Sequence, residues 1–120
     1  MSDMVTIVGE VIHGAKLGRR MGFPTANMNI GSVDVENGVY LSCVSIDGKE
    51  WRAMSNVGVR PSVDGKCRLL ETHIFDFQGD LYGRELNVTL LRKVRDEKRF
   101  ASVDELREQL HNDFELIRSL

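Results

Sequence analysis

The chain has 120 residues, 42% hydrophobic and 28% charged, with 16 Lys and Arg against 18 Asp and Glu. One domain spanning residues 1–120 is predicted, with enough apolar content to exclude wholesale disorder. A net charge of −2 excludes the broad basic surface of a general nucleic-acid binder, and no apolar run reaches the roughly 18 to 20 residues of a bilayer-spanning helix. Met1-Ser2-Asp3-Met4 lacks the basic-then-apolar order of a secretory leader. The expectation is a soluble, cytoplasmic monomer without membrane or nucleic-acid partners.

In chain order, Thr6 to Ile12 reads as a strand interrupted by Gly9. The stretch His13 to Asn27 has glycines at 14, 18 and 22, each costing a helix about 1 kcal/mol relative to alanine, so a loop is predicted. Asn37-Gly38 signals a turn, and Val39 to Ile46 follows as a strand. Asp47-Gly48 then predicts a type I′ hairpin into Glu50 to Val57, because both central residues of that turn need positive φ. Leu69 to Phe77 is the next strand. Beyond the turn formers Gln78-Gly79-Asp80 and Gly83, Glu85 to Val94 places Leu86, Val88 and Leu90 on one face. Short strands joined by tight turns, with no helices between them, favour an antiparallel barrel or sandwich. Val103, Leu106, Leu110, Phe114 and Ile117 then recur at helical spacing, behind a Ser102–Glu105 capping box.

Cys43 and Cys67 form no C-x-x-C pair, and Cys43 is expected as a small core residue. Scattered His13, His73 and His111 do not complete a zinc site. The glycine loop carries Lys16, Arg19 and Arg20 and matches neither standard nucleotide fingerprint. It is either a phosphate cradle or a plain surface turn. Pro24 stiffens its exit. In an extended segment Thr25 and Asn27 project to one side, where they share a hard cation such as Mg²⁺ or simply bond nearby backbone. Glu71, His73 and Phe75 share a strand face. Glu71 is either an exposed edge residue or a general base for a hydroxyl attacking phosphorus. His73 orients it or lies on the surface, and Asp76 and Asp80 belong to a turn.

These residues bring a family into view. Gly9-Glu10-Val11, Gly14, Gly18-Arg19 and Gly22-Phe23-Pro24-Thr25-Ala26-Asn27 resemble the opening of riboflavin kinases. The resemblance continues through Asn37-Gly38-Val39-Tyr40, Asn56-Val57-Gly58-Val59-Arg60-Pro61-Ser62 and Glu71 to Gly83, and ends in the helix containing Gln109 and Asp113. Ser62 stands where the family often has Thr. The resemblance implies a six-stranded antiparallel Greek-key β-barrel with a C-terminal α-helix. It also implies transfer of the ATP γ-phosphoryl group to the terminal ribityl hydroxyl of riboflavin, giving FMN and ADP. Thr25 and Asn27 match positions that bind Mg²⁺ and nucleotide phosphate, and Glu71 matches the general base. Gly14, Lys16, Gly18, Arg19, Gly22 and Pro24 match a flap over the nucleotide. Arg95 to Gln109 lies where the family closes over the flavin, with Leu81, Tyr82, Arg95, Phe100 and Leu106 as expected flavin contacts. Because the chain opens directly on the kinase-like barrel, FAD synthesis is not expected. The alternatives are a non-catalytic flavin or nucleotide sensor of the same fold and an oligonucleotide-binding barrel, which balanced charge and 7% aromatic content disfavour.

Overall fold

A computed structural model describes residues 4–12, 24–62 and 65–120. Among the described residues there are six strands: β1 (Val5–Glu10), β2 (Ala26–Asn29), β3 (Gly38–Ile46), β4 (Lys49–Ser62), β5 (Gly65–Ile74) and β6 (Glu85–Arg95). They precede one helix, α1 (Val103–Ser119). Every pairing is antiparallel, in the order β1-β6-β3-β4-β5-β2. Strands β3, β4 and β5 form a meander and β6 returns beside β3, which makes a Greek key. Ile12, just past β1, bridges Asn27 of β2, its N–H donating to the Asn27 carbonyl at 2.7 Å. The sheet is thereby nearly closed into a barrel.

The expected hairpin is present: Asp47 and Gly48 have φ of 51° and 80°, and Ile46 pairs with Lys49 across the turn. Strand alternation selects the interior. Val44, Val57, Leu70, Leu86, Val88 and Leu90 are fully or almost fully buried there. The same period sends Ser42, Ser55 and Thr72 inward, where their hydroxyls bond in series at 2.7 Å and 2.8 Å. Cys43 consequently points away from the core and is half-buried, contrary to expectation. Its neighbours Ser42 and Val44 take the inward positions.

Helix α1 covers a patch of the outer face. Val39, Met54, Phe75 and Ile117 are buried together, with Leu41, Val94, Leu106, Leu110 and Phe114 packed around them. The Ser102 hydroxyl accepts from the Glu105 N–H at 3.2 Å. The return bond of the cap reaches one residue further than a capping box requires: Glu105 Oε2 accepts from the Ala101 N–H at 2.7 Å. Val103, expected on the apolar face, is 50% exposed because the first turn projects beyond the sheet cluster. Further along the helix, Asp113 is buried. Arg95 at the end of β6 donates to both Asp113 oxygens, Nε at 2.9 Å and 3.1 Å and Nη2 at 2.7 Å, and Gln109 adds a bond at 2.9 Å. That network fixes the helix against the strand.

Several boundaries differ from expectation. Strand β2 begins inside the stretch His13 to Asn27 expected as loop and runs on to Asn29, four residues being too few to display a period. Strand β4 runs on past the expected end at Val57, through Gly58 and Pro61, and β5 begins at Gly65 rather than Leu69, so the two form a long hairpin. Strand β5 ends at Ile74, where Asp76 turns the chain with a φ of 61°.

Candidate active site

Register places the key side chains. Asn27 lies opposite Glu71, Glu71 opposite Asn56, and Asn56 opposite Val39 across β2, β5, β4 and β3. The adjacent row, with Ala26, Thr72 and Ser55, faces the interior. The Asn27–Glu71–Asn56 row therefore faces outward, on the side that α1 covers. Directly paired residues carry Cβ atoms about 4.5 to 5.5 Å apart. The Thr25 hydroxyl donates to Asn27 Oδ1 at 3.1 Å, so the two oxygens meet at one corner. Asn27 is only 5% exposed.

Glu71 is held by one side only. Arg60 donates to Glu71 Oε1 from Nε at 3.1 Å and from Nη2 at 2.9 Å. No hydrogen bond reaches Oε2 from the described residues. Beside it, Asn56 Oδ1 is buried with no partner among them. An unpaired buried acceptor costs about 1 to 3 kcal/mol, which a ligand donor would recover. Burial alone would lower the Arg60 pKa; Glu71 and Glu97 outweigh it and raise it, so the guanidinium stays charged.

His73 shares the face of Glu71 but orients something else. Its Nδ1 lies 2.9 Å from the Pro24 carbonyl and must carry the proton to bond there, which pins the residue before Thr25. Burial depresses its pKa below 6.5, with the Pro24 carbonyl pulling weakly the other way. Its ring packs near Phe75 and Phe114 of the helix patch, at centroid distances of 5.8 Å and 6.1 Å.

A cleft of about 490 Å³ opens beside Thr25 and Asn27. Its walls include Ile12, Phe77, Leu81 and Tyr82. The Thr25–Asn27 corner suits a hard cation: both donors are neutral oxygens and the corner borders a cleft wide enough for phosphate and water.

A family model described as Flavokinase: Riboflavin kinase matches residues 1–120. The chain belongs to the riboflavin kinase family. It is 47% identical over 117 residues to the bifunctional riboflavin kinase/FMN adenylyltransferase of Pseudomonas fluorescens, covering 95% of this chain and 37% of that protein. The corresponding Escherichia coli K12 protein is 44% identical over 109 residues, 89% of this chain and 35% of its own. An RNA-binding riboflavin kinase, RibR, from Bacillus subtilis is 36% identical over 95% of this chain and 50% of its own. The chain thus spans little more than a third of the bifunctional relatives it matches. Among solved structures, riboflavin kinase from Trypanosoma brucei shares the fold with a TM-score of 0.67 at 21% identity, covering 98% of this chain and 80% of its own.

Set against what the riboflavin kinase resemblance implies, Thr25, Asn27 and Glu71 come together. The expected flavin contacts divide. Leu81 is buried in the barrel core and Tyr82 lies at the cleft beside Thr25 and Asn27. Leu106 packs in the helix patch, Phe100 precedes it half-buried, and the Arg95 guanidinium is committed to Asp113. Gly14, Lys16, Gly18, Arg19 and Gly22 lie outside the described residues. Asn56, Arg60 and Glu97 were not singled out as site residues. Asn56 and Arg60 do carry a legible signal, two polar side chains in a run otherwise made of valine and glycine.

Proposed function

We propose that this riboflavin kinase-family domain transfers the ATP γ-phosphoryl group to the terminal ribityl hydroxyl of riboflavin, giving FMN and ADP. The observation that carries the reading is the direct pairing of Asn27 with Glu71 across β2 and β5, with the Thr25 hydroxyl bonded to Asn27. Phosphoryl transfer needs positioning and charge stabilisation more than covalent help. Glu71 Oε2 takes the proton of the ribityl hydroxyl as its oxygen bonds to the γ-phosphorus and the bond to the bridging oxygen of ADP breaks. Thr25 and Asn27 would hold Mg²⁺, which when bound neutralises charge on the phosphate oxygens.

The two groups of expected flavin contacts suggest two sides. The cleft edged by Thr25, Phe77 and Tyr82 is contiguous with the metal corner and suits the nucleoside of ATP. The flavin ring then lies toward Phe100 and the helix, which leaves the ribityl end over Glu71. Asn56 Oδ1 offers an acceptor to a polyol hydroxyl beside it. A monomer in the cytoplasm completes the reading. Near-neutral charge lends no support to nucleic-acid binding, although RibR is named for it.

The test is direct. Purified chain incubated with riboflavin and Mg-ATP should form FMN and ADP in equal amounts, followed by chromatography. Tight flavin or nucleotide binding with no FMN formed would make the domain a sensor instead.

A further inference from the structure

Arg60 commits every nitrogen of its guanidinium. Nε and Nη2 converge on Glu71 Oε1, while Nη1 donates to Glu97 Oε1 at 3.0 Å and to the Val59 carbonyl at 3.1 Å. The three side chains are partly buried, at 30% exposure for Arg60, 22% for Glu71 and 30% for Glu97. Glu97 belongs to the segment between β6 and α1, far in sequence from Arg60 and Glu71. It reaches Arg60 because residue 58 is glycine. A Cβ there would fall 1.6 Å from Glu97 Oε1 and 2.5 Å from Arg60 Nη1. Gly58 is not among the glycines of positive φ, so backbone conformation does not demand it. The space for the Glu97 carboxylate does.

The arrangement has a direction. A carboxylate on a strand keeps several rotamers, and a base that wanders loses its alignment with the attacking hydroxyl. A fork on one oxygen fixes the side chain and leaves the other oxygen open. Arg60 would itself be loose without a second anchor, and Glu97 supplies one from the segment that carries Phe100.

We propose that Arg60 is a positioning residue: anchored by Glu97 over Gly58, it fixes Glu71 with Oε2 toward the acceptor hydroxyl and so links the β6–α1 segment to the base. This rests on Glu71 being the base of the kinase reading. Movement of the β6–α1 segment as flavin seats is thereby felt at the carboxylate.

Steady-state FMN formation, with riboflavin and Mg-ATP each varied, tests the linkage in wild type, Glu71→Gln, Arg60→Gln, Arg60→Lys, Glu97→Gln, Gly58→Ala and the Arg60→Gln/Glu97→Gln double variant. Arg60→Gln should lower kcat about ten- to hundredfold while the KM for Mg-ATP stays within about twofold, the cost of a misplaced group rather than of lost binding. Arg60→Lys should recover part of that loss. Glu97→Gln and Gly58→Ala should each lower kcat about three- to tenfold. The double variant should be no worse than Arg60→Gln, because Glu97 acts through Arg60. Wild-type kcat in Arg60→Gln beside an inactive Glu71→Gln overturns the linkage and spares the base. Full activity in Glu71→Gln overturns the base itself. If Arg60→Gln does not fold, Gly58→Ala, Glu97→Gln and their double variant decide: matched losses that do not add uphold the linkage, and wild-type kcat in both single variants ends it.

Discussion

The two faces of the sheet treat buried polar groups in opposite ways. Inside the barrel, the hydroxyls of Ser42, Ser55 and Thr72 bond one another across β3, β4 and β5. On the outer face of β4 and β5, Asn56 Oδ1 is buried with no partner among the described residues, the partly exposed Glu71 is bonded through Oε1 alone, and the row ends at the Thr25–Asn27 corner. Both rows cost desolvation on folding. The inner row recovers that cost within the protein and has nothing left for a ligand. The outer row recovers it only in part. A polar row that closes on itself builds the barrel, and one left open keeps acceptors available to a ligand.

The largest effect that tests this contrast is on the outer row. Glu71→Gln should lower kcat by about 10² to 10⁴, the usual contribution of a general base, with Mg-ATP affinity nearly unchanged. Retained turnover would move the base elsewhere. The inner row should behave in reverse. Ser55→Ala strands the hydroxyls on either side of it and should reduce the free energy of unfolding by about 1 to 3 kcal/mol in urea titrations, with kcat preserved. A variant of full stability and poor activity would erase the distinction between the faces.

Smaller effects sharpen it. Thr25→Ala removes one oxygen of the corner and should weaken Mg²⁺-dependent nucleotide binding about tenfold, roughly 1.4 kcal/mol by titration calorimetry. Equal affinity with and without Mg²⁺ in both proteins would remove the metal from this corner. His73 should give the smallest signal. Burial holds its folded pKa below 6.5, so the unfolded chain takes up the proton first as pH falls. Its contribution to stability is complete above that value and is lost as pH drops through it toward the folded pKa. Unfolding free energies measured between about pH 5 and 8 should therefore fall more steeply for wild type than for His73→Gln. Parallel curves would show the ring titrating alike in both states.

Much of this was legible in the residues. The Asp47-Gly48 pair predicted its turn from a conformational requirement, and Leu86, Val88 and Leu90 predicted an inward face that they do occupy. Strand β2 was not legible, because Ala26 to Asn29 is held by pairing with β5 and not by any pattern of its own. Glu71 could be found as a carboxylate in an apolar strand. Its clasp could not: Glu97 meets Arg60 from 37 residues away, and only three-dimensional placement shows that Gly58 makes room for a carboxylate. The role of His73 was hidden in the same way, since its partner is a backbone carbonyl 49 residues distant. Local pattern carries the alternation of faces; long-range pairing decides which polar atoms are left over.

The bridge between Ile12 and Asn27 has a practical corollary for engineering. It stitches the chain shut on either side of residues 13–23, so that stretch starts and finishes at neighbouring points of the scaffold. Lengthening a flexible loop between points that are already joined costs only about 0.6 kcal/mol per doubling. Peptides grafted between those two points should leave the barrel standing, so a reporter can be spliced in there without rebuilding the architecture beneath.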